Sequence, residues 1–177
     1  MKLSNISNYQ ILIEILLNKL DGKMNDLISV VVTCYNHENY IEQCLRSIFN
    51  QTYRNIELIV LDDGSTDSSN QIIQEVLKES PFETRFETHE NLGVVKNRNL
   101  GLELIRSDYL LFVDSDNYLD EDYVEQLYSK LVETNADIVY CDLFNPEKEE
   151  FYLKSREFDL IAFLNASFID NCSLIRR

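Results

Sequence analysis

The sequence has no tryptophan, and only two histidines, two prolines and four glycines. None of the glycines precedes Gly22, so no Gly-rich loop stands near the first strand to cradle phosphates. That argues against a nucleotidyltransferase, which would place such a loop there. Basic residues are scarce: 16 Lys and Arg stand against 31 Asp and Glu, a formal net charge of -15. A field of that sign repels DNA and RNA at long range and speaks against nucleic-acid binding. An anionic small ligand then needs a metal cation or a local cluster of donors. The cysteines, Cys34, Cys44, Cys141 and Cys172, include no CxxC pair, and with two histidines they make a poor structural zinc site. They read as small buried hydrophobes in a reducing cytoplasm. No apolar run reaches the length of a membrane span. Ile11 to Leu17 is interrupted by Glu14 and lacks the basic start and cleavage site of a signal peptide.

What is present suits one domain: 177 residues can bury a sizeable core. Residues 1–26 form a lead-in in which Tyr9, Leu12, Ile13, Leu16, Leu17 and Leu20 recur at helical spacing before Gly22. A helix is expected from Tyr9 to Leu20, docked on its own domain, paired with a partner, or belonging to a preceding module. Residues 27–177 alternate between strand and helix. Ile28 to Thr33, Ile56 to Leu61 and Tyr109 to Val113 are short apolar runs of the kind that form buried parallel strands, and Thr84 to Thr88 is a weaker one. Helices are expected over Glu38–Asn50, Asp67–Lys78, Gly93–Ile105 and Glu121–Thr134, with a further strand over Asp137–Tyr140. Past Cys141 the pattern weakens. Asn145 to Glu150 reads as a turn, Phe151 to Leu153 as a hairpin strand, Phe158 to Leu164 as a short helix and Ser167 to Ile175 as a last strand. Such alternation implies right-handed crossovers and an α/β fold, a mainly parallel sheet with helices on both faces.

Ligands of such sheets bind beyond the carboxyl ends of the strands. The residues found there are polar and acidic. Asp114-Ser115-Asp116 follows a buried strand, and an extended i, i+2 pair points to one side, so both carboxylates can converge on a hard cation. A solvated acidic turn capping the next helix near Asp120 is the plainer alternative. Asp62-Asp63-Gly64-Ser65-Thr66-Asp67 combines a glycine turn with helix-capping residues. Its two consecutive acids can also accept from a base N–H or a ribose hydroxyl. Tyr35 offers a ring that stacks on a flat base or packs under its own loop, and Thr33 stands beside it. After Asn91-Leu92-Gly93, Lys96 reads as part of a solvated basic face, whereas Arg98 is the better candidate for a nucleotide ligand.

The stretches TCYNHENYIEQCLRSIFNQTYRNIELIVLDDGSTDSS, ENLGVVKNRNLGL and YLLFVDSDN occur in an order and spacing that resembles glycosyltransferase family 2, over roughly Leu27 to Asp142. The resemblance implies a GT-A fold with a Rossmann-like nucleotide-binding half. It also implies a nucleotide-sugar donor (often a UDP-sugar), Mn2+ or Mg2+, and single-displacement transfer with inversion. By the same resemblance Thr33 and Tyr35 contact the base, and Asp63 bonds it with Asp62 beside it. Arg98 lies near the nucleotide, Asp114 near the ribose or metal, and Asp116 is the principal metal ligand. Family members carry a general base well downstream, often in a Glu-Asp pair beyond a segment like Ser173-Leu174-Ile175-Arg176-Arg177. Here Glu121-Asp122 lies too near the DxD motif, and Asp159 and Asp170 are the later aspartates. The chain is therefore expected to be a donor-binding half without its acceptor and catalytic-base part. A non-catalytic nucleotide-sugar or metal-binding module, or an assembly partner of a complete transferase, is the alternative. A phospho-receiver domain fits poorly, since its acid pair follows the first strand. Polysaccharide or other glycan assembly in the cytoplasm, or at the inner face of the membrane, follows from the resemblance. The acceptor (glycan, lipid-linked or protein) and the oligomeric state are left open.

Overall fold

The computed structural model describes residues 25–145, 148–159 and 172–177. The strands are β1 (Ile28–Cys34), β2 (Ile56–Asp62), β3 (Glu83–Thr88), β4 (Tyr109–Asp114), β5 (Ile138–Val139), β6 (Leu143–Asn145), β7 (Glu150–Leu153) and β8 (Leu174–Arg176). The helices are α1 (Ile41–Phe49), α2 (Ser69–Val76), α3 (Val94–Leu104) and α4 (Tyr123–Thr134), and a 3-10 turn, Leu77–Glu79, extends α2. The expected helix over Tyr9–Leu20 and most of that over Phe158–Leu164 fall outside the described residues.

The main sheet has six strands in the order β3-β2-β1-β4-β8-β5. β1 lies at its centre, parallel to β2 and to β4, and β2 is parallel to β3. Both β1 and β2 are buried along their whole length, as their continuous apolar runs require of strands covered on both faces. Helices α1, α2 and α4 cover one face: Ile41, Leu45, Ile48, Ile73, Val124, Tyr128 and Leu131 pack with Val30, Val32, Leu58 and Val60. Helix α3 covers the other face, where Leu100 and Leu104 meet Val31, Ile59 and Leu61. It rides close to the sheet because Gly101 has no side chain; a Cβ there would lie 2.7 Å from Val31 Cγ1. The α/β fold with helices on both faces is as expected. Among the described residues no helix is long and apolar enough to cross a membrane.

Three details differ from expectation. Helix α1 begins at Ile41 rather than Glu38, because Glu38 is used in a loop, donating its N–H to Asp67 Oδ2 (3.1 Å) and accepting from Ser68 N (2.9 Å). The strand expected over Asp137–Tyr140 is reduced to β5 and does not reach β4. Instead β8 inserts between them, antiparallel to both, with Leu111 opposite Leu174 and Val139 opposite Leu174. β6 and β7 pair antiparallel in a separate two-stranded sheet, whose first strand, β6, carried no sequence signal.

The amino ends of the central strands are tied by a buried carboxylate. Glu57 on β2 accepts from the Ser29 hydroxyl on β1, from Arg106 N (2.7 Å) and from Arg106 Nε (2.6 Å) just before β4. Burial alone would raise this carboxyl, but the Ser29 hydroxyl and the Arg106 amide and guanidinium outweigh it and hold it below the ordinary glutamate value. Its contribution is therefore complete above the unfolded value of about 4.3 and is lost as pH falls through the lower folded value. Glu57→Ala is expected to lower the unfolding free energy by about 2 kcal/mol at neutral pH in urea denaturation, with the deficit narrowing in acid. Matching denaturation curves at pH 7 would show that the network does not anchor the sheet.

Candidate functional site

The parallel register decides which residues meet at the carboxyl edge of the sheet. Cys34 pairs with Asp62, and Thr33 pairs with both Leu61 and Asp114. The ends of β1, β2 and β4 thus stand abreast, and the loops after them share one rim.

At the end of β2 the two acids have separate partners. Asp62, 1% exposed, accepts from Ser65 N (3.2 Å), Asn70 Nδ2 (2.9 Å) and Thr88 Oγ1 (3.1 Å), which fixes the turn onto α2 and β3. Asp63, 3% exposed, accepts from Leu92 N (2.7 Å) and Gly93 N (3.0 Å), and His89 Nδ1 lies 3.5 Å away. Its carboxylate thereby clamps the loop that leads into α3. His89 also reaches Asn97 Oδ1 through Nε2 (3.2 Å), which ties the same loop to the helix. Between the acids and this loop sits Gly64, at φ +74, where a Cβ would lie 2.8 Å from Asn91 N. Only glycine fits a left-handed residue pressed against backbone in this way. Each carboxylate oxygen has more than one lone pair, so Asp63 keeps acceptor capacity toward the rim.

At the end of β4 the chain turns sharply. Asn117 N donates to Asp114 O (2.9 Å), so Asp114, Ser115, Asp116 and Asn117 form a turn. The extended i, i+2 geometry expected for the two acids is therefore replaced by a strand-end acid followed by a turn acid. Asp114 Oδ1 accepts from Arg98 Nη2 (2.6 Å) and Thr33 Oγ1 (3.3 Å). Asp116 is exposed and has no hydrogen bond or ion pair with the described residues. Arg98 and Asp114 are only partly exposed, at 24% and 29% of their side chains, and Arg98 Nε is buried without a partner. Arg98 is therefore half-committed to the first acid and still carries an unused donor. Lys96 is exposed, as a solvated basic residue should be.

At the end of β1, Tyr35 is 46% exposed, which leaves its ring available for stacking. Asn36 follows at φ 55. Its left-handed backbone turns the chain over the edge of the sheet, a conformation asparagine tolerates. Two of the cysteines, Cys34 and Cys44, are buried beside this rim. Burial pushes the Cys34 thiol above its ordinary value, although the Ser115 and Ser69 hydroxyls pull the other way. Burial also pushes Cys44 well above its ordinary value.

Among the described residues no three His, Cys, Asp or Glu side chains are grouped to hold a metal by themselves. A cation here would take Asp116 and the second oxygen of Asp114, with the remaining positions filled by ligand oxygens and water. All-oxygen, partly open coordination of this kind suits Mg2+ or Mn2+. Sequence reasoning placed Ser115 at the rim within the DxD motif but gave it no partner, and it did not find His37 or His89. The one available signal was that both histidines of the chain follow strand ends.

Residues 29–173 match the model of the family described as Glycosyl transferase family 2. The chain is 44% identical over 131 residues to glycosyltransferase GlyA of Streptococcus pneumoniae serotype 4, covering 73% of this chain and 19% of that protein. It is 34% identical over 139 residues to glycosyltransferase GlyG of the same organism, covering 76% of this chain and 46% of that protein. The structure is similar to that of S. aureus TarS in complex with UDP-GlcNAc, with a TM-score of 0.66, 25% identity, and coverage of 85% of this chain and 45% of that one. It shares its fold with the mannosyltransferase PcManGT from Pyrobaculum calidifontis, in complex with GDP-Man and Mn2+, at a TM-score of 0.68 and 19% identity, covering 86% of this chain and 45% of that one. The chain spans less than half the length of these relatives. The matched residues include all three strand ends of the rim, and by this match the chain belongs to glycosyltransferase family 2.

Proposed function

We propose that the rim above β1, β2 and β4 binds a nucleoside diphosphate sugar, and that residues 27–177 are the donor-binding unit of a transferase that moves the sugar to an acceptor with inversion. The carrying observation is the contrast within the DxD motif. Asp114 is held by Arg98 and Thr33, while Asp116 projects into solvent from the turn with no described partner. A carboxylate so placed in a chain of net charge -15 needs a cation before it can accept a diphosphate.

In this reading Tyr35 stacks on the base and Thr33 and Asp63 contact its edge. Asp62 holds the loop that carries these contacts, and the partly exposed Arg98 guanidinium, beside Asp114, lies near the nucleotide. The base is uracil: S. aureus TarS, which covers most of this chain, was solved with UDP and with UDP-GlcNAc. Asp116 is the main ligand of the Mn2+ or Mg2+ ion, with Asp114 beside it. When bound, the ion offsets charge on the leaving nucleoside diphosphate. An acceptor hydroxyl attacks the anomeric carbon from the face opposite the diphosphate, which inverts its configuration. The hydroxyl proton requires a base, and the described residues supply no carboxylate that we assign to that role. The acceptor belongs to a growing polysaccharide or related glycan. We place the reaction in the cytoplasm or at the inner face of its membrane, where sugar nucleotides coexist with free thiols such as the four here.

Thermal unfolding with UDP, GDP, CDP and dTDP, each with and without Mn2+, tests the donor site. UDP at about a hundred times its dissociation constant in Mn2+ is expected to stabilise the fold by about 2.7 kcal/mol, and the same UDP without Mn2+ by much less. Stabilisation by none of the four contradicts the reading. In the same assay Asp116→Ala is expected to abolish the Mn2+-dependent shift, whereas the exposed surface acid Asp137→Ala retains it. Equal shifts in both variants would remove Asp116 from the site. With a UDP-sugar, release of UDP marks sugar transfer or hydrolysis. Tight donor binding without any UDP release would favour the non-catalytic binding module.

A further inference from the structure

The loop after β1 is bonded in two directions, and the second of them reaches the DxD turn. Toward the loop after β2, three consecutive backbone amides are taken by side chains. Asn36 N donates to Ser65 Oγ (2.9 Å), His37 N to Ser69 Oγ (2.8 Å) and Glu38 N to Asp67 Oδ2 (3.1 Å). The loop answers in kind, since Asn36 Oδ1 accepts from Thr66 N (2.8 Å) and Glu38 Oε2 from Ser68 N (2.9 Å). The segment Asn36–Glu38 is thus locked to Ser65–Ser69, the segment that follows Asp62 and Asp63.

In the other direction the His37 ring crosses to β4. His37 Nδ1 lies 2.7 Å from Ser115 Oγ, a hydrogen bond whose direction the imidazole tautomer sets. Ser115 is the second residue of the turn that projects Asp116. It has no exposed surface, so water cannot replace the ring as the partner of its hydroxyl. Its backbone is pinned from the other side, where Ser115 N donates to Thr33 O (3.2 Å). Ser115 is thus held on both sides, its hydroxyl by the His37 ring and the Cys34 thiol and its amide by Thr33 O, one residue before Asp116.

We propose that His37 is a positioning residue for the metal-binding turn. Through Ser115 it sets Asp116 relative to the loop that carries the nucleotide, and it touches neither the metal nor the nucleotide. The inference rests on the donor site proposed above. Its chemistry is that of an outer-shell ligand support: groups that orient a metal ligand without touching the metal change metal affinity by about ten- to a hundredfold when removed.

The test is the dissociation constant of UDP, measured calorimetrically in Mn2+ and again in EDTA. Wild type is compared with His37→Ala, His37→Asn, Ser115→Ala and Asp116→Ala, with thermal unfolding as the check on folding. His37→Ala and Ser115→Ala are each expected to weaken Mn2+-dependent UDP binding by about tenfold while leaving the EDTA value within about twofold. The double variant is expected to be no weaker than either single one, because both remove the same bond. His37→Asn keeps a polar atom near the position of Nδ1 and is expected to recover most of the loss. It also carries the comparison, with Ser115→Ala, if His37→Ala does not fold. Equal weakening in Mn2+ and EDTA would show that His37 merely supports the nucleotide loop and would overturn the proposal. Wild-type affinity in His37→Ala and Ser115→Ala would overturn it as well. Asp116→Ala separates the two levels: if it keeps Mn2+-dependent binding, the donor-site reading itself fails; if it loses that binding while the His37 and Ser115 variants do not, only the positioning role fails.

Discussion

The site depends on the parallel pairing of β1 with β2 on one side and β4 on the other. A slip of one residue in either ladder would turn every side chain of the slipped strand to the opposite face. Here both faces of β1 and β2 are buried, so the register is held by packing along the strands and by the Glu57 network at their amino ends. The consequence appears at the other end. Thr33 lies opposite Asp114, and Cys34 opposite Asp62. The amino end of the sheet carries the buried Glu57 network and the carboxyl end carries the polar loops, a separation that lets those loops be polar without weakening the core.

The acidic residues at that rim divide into two kinds. Asp62 and Asp63 are buried and spend their oxygens on backbone amides and neutral side chains, so they shape the loops around the site. Asp114 is neutralised by Arg98, and Asp116 is left to solvent. In a strongly acidic chain, pairing one carboxylate and leaving its neighbour unpaired concentrates uncompensated charge at one point. A divalent cation is the ligand that benefits most from such a point, and a diphosphate can then follow it despite the overall repulsion.

Much of this was legible in the sequence, for local reasons. The apolar runs in β1, β2 and β4 are too short for buried helices, those of β1 and β2 are rich in β-branched residues, and Gly64 after two acids marks a turn. The motif stretches identified the family before any geometry was known. The features that were missed are non-local. A last strand was expected over Ser167 to Ile175, and β8 overlaps its end, but nothing local announces that it enters the sheet antiparallel between β4 and β5. His37 and Ser115 are bonded across a separation of 78 residues. The start of α1 was placed too early because Glu38 and Asn39 continue a helical pattern, and only the bonds of Glu38 to Asp67 and Ser68 hold that stretch in a loop. The DxD motif itself was found, and the turn that carries its second acid was present only as the plainer alternative, because Asp-Ser-Asp-Asn suits both a turn and an extended acidic pair.

The central claim is that a cation on Asp116 joins a nucleoside diphosphate to the carboxyl ends of β1, β2 and β4. The most direct measurement is a crystal structure of the protein grown with UDP and Mn2+, with the ion located by its anomalous scattering. The account predicts one strong peak bonded to Asp116 and to diphosphate oxygens, with the base against Tyr35. A manganese peak away from Asp116, or a nucleotide bound elsewhere on the fold, would contradict it.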